Sequence, residues 1–178
     1  MSYTTQNSLL LDKLKEFYDK DDNIEKILPI INGESNISLR LIDWFVTNYS
    51  KKYFTMIKNE NKRFKVYIDY KLKLKAYSKK RFDPFCRWDR ITIPYKEDSL
   101  METTIGQLNF FKWIINNNIV EYIEQNFDEI NNDQTKRNST SKNKLKPNNK
   151  TRKKREELSI FASKSIKKEK VKIIVEFK

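Results

Sequence analysis

From Phe64 to Tyr77 the chain alternates without a break. Phe64, Val66, Ile68, Tyr70, Leu72, Leu74 and Ala76 take one set of positions; Lys65, Tyr67, Asp69, Lys71, Lys73, Lys75 and Tyr77 take the other. Successive side chains leave a strand on opposite faces, so a period of two over this length predicts a β-strand. One face is apolar and belongs to a core. The other is mostly ammonium groups and runs on into Lys79, Lys80 and Arg81. Like charges on neighbouring positions repel, and an anion beside them relieves that repulsion. The pattern points to a binding surface rather than to a reaction.

Elsewhere apolar residues recur at helical spacing. Leu9, Leu10, Leu14, Phe17 and Tyr18 predict a short amphipathic helix. A second cluster, Ile24 to Ile31, is interrupted at Pro29 and closed by Asn32 and Gly33. Ser38 offers an N-cap for a helix over 39–50, whose wide apolar face marks it as a core helix. Trp88, Arg90, Thr92 and Pro94 alternate with Ile91, Ile93 and Tyr95 in a second strand. It is expected to pair antiparallel with the first across the connection 78–87. Thr104 and Gln107 form a capping box that opens a helix over 104–131, and Asn116, Asn117 and Asn118 are placed to kink or split it. Residues 132–154 lack periodicity and read as a flexible linker. Val171, Ile173, Val175 and Phe177 then alternate in a terminal strand, which must join the sheet or a partner chain.

These elements predict an α+β fold, with a small, mainly antiparallel sheet packed by two or three helices. The core occupies 1–132, a disordered basic linker 133–156, and a strand-bearing segment 157–178. A length of 178 residues suits one core with a tail.

Charge sharpens the picture. The net charge of +13 favours a polyanionic partner, nucleic acid ahead of an acidic protein or an anionic membrane. Lys, Asn, Ile, Tyr and Phe all have A/T-rich codons, so part of the lysine excess reflects base composition. Its placement says more than its sum. Between Asp133 and Glu156 no acidic residue occurs, whereas Lys136, Arg137, Lys142, Lys144, Lys146, Lys150, Arg152, Lys153, Lys154 and Arg155 do.

Several chemistries lack their parts. With no histidine and only Cys86, zinc fingers, internal disulfides and Ser-His-Asp or Cys-His catalysis are excluded. The polar first residues carry no secretory pattern, and no apolar run approaches the ~20 residues of a membrane span. The chain is expected to be soluble and intracellular, without a cofactor, a metal or a membrane partner.

Three blocks are distinctive together: the helix Leu39 to Tyr49, the segment Tyr70 to Arg87, and the run Glu102 to Trp113. Lys153, Lys154, Arg155, Leu158, Ser159 and the strand Val171 to Phe177 add a fourth. In these blocks the chain resembles a family of short basic uncharacterised proteins encoded by nucleocytoplasmic large DNA viruses, the giant viruses. The resemblance implies a setting in the virus factory of the host cytoplasm or in the virion. The basic cluster also allows the host nucleus. It implies no activity.

The resulting expectation is a non-enzymatic nucleic-acid-binding protein of low sequence specificity, acting in viral replication, transcription or genome packaging on DNA or RNA. Phosphate contacts are expected from Lys71, Lys73, Lys75, Lys79, Lys80, Arg81, Arg87 and Arg90, with a second set from Arg152, Lys153, Lys154 and Arg155. Tyr67, Tyr77, Phe82 or Phe85 would stack on unpaired bases. The bland counterpart is a solvated sheet face whose lysines protect an edge, with Arg87 and Arg90 paired to Asp83 and Asp89. The alternative function is a virion or factory scaffold whose basic tail meets an acidic viral protein. A nuclease reading of Glu176 and Lys178, with Asp69 or Asp83 as second carboxylate, stands behind both: Asp83-Pro84 reverses the usual order of that motif. Trp44, Trp88, Phe110, Phe111 and Trp113 read as core, and Cys86 as an inert thiol.

Overall fold

The computed structural model describes residues 6–20, 22–59, 62–86, 90–96, 99–143 and 166–169. Helix α1 (Gln6–Tyr18) lays Leu14 and Tyr18 against the core, and the Tyr18 hydroxyl donates to the carbonyl of Leu108 at 2.7 Å. Helix α2 (Asn23–Asn32) keeps Pro29 inside its last turns. It stops at Gly33, whose φ of 76° suits a residue without Cβ. Ser38 caps α3 (Leu39–Trp44) by accepting from the Leu41 amide at 3.2 Å. A π-helical turn (Phe45–Tyr49) and a short α4 (Ser50–Lys52) continue it, burying Phe45, Val46 and Tyr49.

The strand expected over 64–77 forms only at its first two residues. Strand β1 (Met56–Asn59) pairs antiparallel with β2 (Lys62–Lys65), but from there the chain is helical: α5 covers Val66–Tyr77. Two periods compete in this stretch. Val66, Tyr70, Leu74 and Tyr77 fall at spacings of four, four and three, which also makes one side of a helix. Lys71 to Ala76 contains only Lys, Leu and Ala, which are strong helix formers, and Lys and Ala are depleted in strands. Val66 and Tyr70 are buried, and Leu74 and Tyr77 pack on the core. The choice leaves Ile68 and Leu72 in solvent, 50% and 60% exposed.

Ser78, at φ 66°, ends α5, and α6 (Lys79–Phe82) follows in what reads as a loop in the sequence. The expected pairing of 64–77 with the second strand is therefore absent. That second strand, β3 (Arg90–Lys96), pairs instead with β4 (Ser99–Thr104), which precedes the capped helix directly. β5 (Ile166–Glu169) adds to the other side of β4, giving the order β3-β4-β5, all antiparallel. Pro94 sits on an edge strand, where a missing amide donor is tolerated. The architecture is α+β, with helices around two small antiparallel sheets. The terminal strand expected at 171–177 lies outside the described residues.

Helix α7 (Ile105–Asn116) runs through the centre and is buried on nearly every side of its first three turns. Thr104 caps it by accepting from the Gln107 amide at 3.1 Å. The Gln107 side chain accepts from the Thr103 hydroxyl at 2.8 Å. The asparagine triplet does split the expected long helix: Asn118 takes φ 50° between α7 and α8 (Ile119–Gln125), and Asn117 donates to the Trp113 carbonyl at 2.7 Å. The third piece, α9 (Phe127–Asn143), overruns the expected helix end and takes up 133–143 of the stretch read as linker. Residues 144–156 lie outside the described residues. Asp133 pins the start of that extension to the core helices. It accepts from Trp44 Nε1 at 3.3 Å and Lys52 Nζ at 3.0 Å, and pairs with Arg137 at 3.5 Å. Burial pushes its carboxyl up, but Lys52, Arg137 and Trp44 outweigh that and leave it lowered.

Gly106 is where α7 meets α6. A Cβ there would lie 2.9 Å from the Asp83 carbonyl oxygen and 3.0 Å from that of Lys80. Ala ordinarily stabilises a helix over Gly by about 0.5–1 kcal/mol. At this position the sign reverses, because backbone must move: Gly106→Ala is expected to destabilise by about 1–3 kcal/mol, read as a lower urea midpoint at unchanged slope.

Candidate nucleic-acid interface

A helix turns 100° per residue, so Lys71 and Lys75 share a face of α5 while Lys73 lies roughly opposite. The single row of ammonium groups expected from the alternation does not exist. Lys71 and Lys75 are exposed beside Ile68 and Leu72. Lys73 turns toward α7, where it lines a cavity of about 340 Å³ with Asp69, Tyr77, Lys112, Trp113 and three asparagines.

The remaining predicted cations divide. Lys79 and Lys80 are exposed on α6. Arg81 is held by α1, donating from Nε to Asn7 at 2.7 Å and from Nη1 to Gln6 at 2.9 Å. Arg90 pairs with Glu102 at 3.1 Å across the β3–β4 ladder. Arg87, Arg152, Lys153, Lys154 and Arg155 lie outside the described residues. The expected base-stacking platform is corrected as well. Phe82 has no exposed surface, and Tyr77 stacks on it at 5.9 Å; Phe85 is packed against the core. Trp113, Phe110 and Phe111 are core, while Trp44 is half-buried beneath Arg137.

Tyr67 keeps a role. The ammonium groups of Lys51 and Lys71 both lie over its ring, at 5.6 and 5.9 Å from the centroid. This brings α4 and α5 together as one basic and aromatic surface. Lys51, Tyr53 and Phe54, which no periodicity singles out, lie at the same helix end. Phe54 is 78% exposed and holds φ 49°, a costly conformation for an aromatic residue. The run Lys51-Lys52-Tyr53-Phe54 at a helix end was the available clue. Lys52 itself is engaged with Asp133 and the Tyr53 hydroxyl.

Asp69 accepts from Trp113 Nε1 at 2.6 Å, and Asp83 caps the amide of Phe85 at 2.9 Å. Glu176 and Lys178 lie outside the described residues. Among the described residues no three His, Cys, Asp or Glu side chains are grouped to hold a metal, and no helix is long and apolar enough to cross a membrane. Asp43 is the perturbed carboxyl. Burial, and then the like charge of Asp83, push it up to about 7. Between about pH 4 and 7 the folded chain holds a proton there that the unfolded chain has released, so this group's contribution to stability falls as pH rises. Asp43→Asn is expected to flatten that slope and to stabilise the chain relative to wild type at pH 8 but not at pH 4. Urea unfolding at both pH values checks it.

Residues 1–176 match a family of unknown function, DUF7197. An uncharacterised protein of Acanthamoeba polyphaga mimivirus, L507, is 43% identical over 157 residues, which cover 83% of this chain. The matched region spans 60% of that relative's length. No solved structure matches the chain significantly.

Proposed function

This chain belongs to the family of unknown function DUF7197, with a relative in a giant virus, and we propose that it is a non-enzymatic binder of single-stranded nucleic acid. Its sequence specificity is low, and its setting is viral replication, transcription or genome packaging. The observation that carries this reading is the pair of ammonium groups, Lys51 and Lys71, brought to one ring at Tyr67. Exposed Lys75 continues the surface along α5. Fixed like charges repel unless an anion sits among them, and a polyphosphate supplies one at the spacing of a chain. Tyr53 and Phe54 bring exposed rings to the same connection, and every base has a face to stack on a ring. The basic cluster 150–155 adds contacts that need no geometry.

A second reading has its own support. Ile68 and Leu72 form an exposed apolar pair between the lysines, the chemistry of a scaffold surface for an acidic partner helix.

Lys71→Glu with Lys75→Glu is expected to weaken retention of a single-stranded oligonucleotide and to leave the unfolding midpoint in place. Each phosphate contact contributes about 0.7 to the slope of log K against log salt for single strands, so the double variant should be shallower by about 1.4. An unchanged slope counts against the reading. Ile68→Ser with Leu72→Ser should leave that slope alone, and would instead abolish capture of a protein partner under the second reading.

A further inference from the structure

We propose that the cavity between α5 and α7 is a site for a nucleoside phosphate, either a free nucleotide or the phosphorylated end of a strand. The site is separate from the exposed α4–α5 surface, and stands or falls without it.

The charge in the cavity is unbalanced. Lys73 from α5 and Lys112 from α7 both line it, with one carboxylate, Asp69. That carboxylate is already committed through Oδ2 to the indole of Trp113 at 2.6 Å. Lys73 makes no ion pair among the described residues, although Asp69 stands one helical turn before it. The Lys112 ammonium has a weak set of contacts, a 3.4 Å hydrogen bond to the Lys13 carbonyl and the Phe17 ring at 4.9 Å. Burial lowers its pKa, with the charge of Glu16 acting the other way. A phosphate in the cavity would meet Lys73 directly, and Lys112 once that ammonium trades its weak contacts on α1 for the anion.

The rest of the cavity is not built for phosphate alone. Its 340 Å³ lies at the small end of ligand sites, which run from about 300 to 1,000 Å³, and greatly exceeds one inorganic phosphate. Two of its asparagines keep an acceptor in reserve. Asn109 spends its Nδ2 on the Arg81 carbonyl at 2.9 Å, and Asn117 spends its own on the Trp113 carbonyl at 2.7 Å. Each carboxamide oxygen is left without a partner among the described residues. For Asn109, only 5% exposed, that is costly unless a donor fills the cavity. The amino and imino groups of a base and the hydroxyls of ribose are such donors. Tyr77, stacked on Phe82 with 14° between the planes, gives the cavity a flat aromatic wall. Anion at one part, donors at another and a planar group between describe a nucleotide.

Calorimetric titration of the full chain with AMP, CMP, GMP and UMP, and with adenosine and inorganic phosphate alone, tests the site. At least one nucleotide is expected to bind more tightly than either fragment. Lys73→Ala should weaken it at least about tenfold, the value of one charge-assisted hydrogen bond, and Lys73→Arg should restore part of the loss. Lys112→Met, which keeps the apolar stem over Phe17, should do the same as Lys73→Ala; equal unfolding midpoints show that neither effect is loss of fold. A 5′-phosphorylated oligonucleotide held more tightly than its 5′-hydroxyl form, and only while Lys73 is present, identifies the strand end as the ligand. A nucleotide effect without that preference identifies the free nucleotide. Absence of binding by all four nucleotides together with no 5′-phosphate preference overturns the site, as does binding indifferent to Lys73→Ala and Lys112→Met. Either overturning result leaves the salt dependence carried by Lys71 and Lys75 to be judged separately.

Discussion

Phe82 has no exposed surface, and four aromatic rings enclose it: Tyr70 at 5.8 Å, and Tyr77, Phe110 and Trp113 at 5.9 Å. A buried ring of this kind is worth about 3–5 kcal/mol against alanine. The 2.6 Å hydrogen bond from the Trp113 indole to Asp69 adds a directional fastening between α5 and α7. Together they set the rotation of α5 about its own axis. Once Tyr70 and Tyr77 face Phe82, Lys71 and Lys75 have only solvent, and Lys73 has only the flank beside α7. The close approach of α6 to α7 at Gly106 serves the same end, since Phe82 enters the cluster from α6.

Asp133 plays the corresponding part for the other half of the molecule. Partners from α3, α4 and its own helix converge on one carboxylate, and the Tyr49 hydroxyl donates to Glu129 at 2.6 Å one turn earlier on α9. These contacts hold the end of α4 in place, and with it Lys51 beside Tyr67. An aromatic cluster around Phe82 and a set of polar contacts around Asp133 thus build one exposed surface, although neither contains a residue of that surface.

Elements governed by neighbouring residues were legible in the sequence. Ser38 and Thr104 cap helices, Gly33 stops one, and Asn118 splits another, because each acts through its own backbone. The stretch 64–77 was not, because its apolar positions satisfy a period of two and of about three and a half at once. The composition of Lys71 to Ala76 favours the helix, and in the folded chain it prevails over the alternation. β4 was hidden because Ser99 to Thr104 has little pattern of its own and is strand through its neighbours β3 and β5. At the candidate interface, residue type was readable but commitment was not. Arg81 looks like a free cation in the sequence, and Arg90 like a partner of nearby aspartates; their partners in the fold, Asn7 and Gln6 for the one and Glu102 for the other, appear only once the chain is folded.

The central claim is that a helix, oriented by Phe82, presents Lys71 and Lys75 outward and turns Lys73 aside. Amine-labelling rates at the three lysines, read by mass spectrometry with and without a 5′-hydroxyl single-stranded oligonucleotide, test it most directly. The account predicts that Lys71 and Lys75 label fast and are protected together, while Lys73 labels slowly and is little changed. Equal labelling and equal protection of all three would restore the flat row of a strand and contradict it.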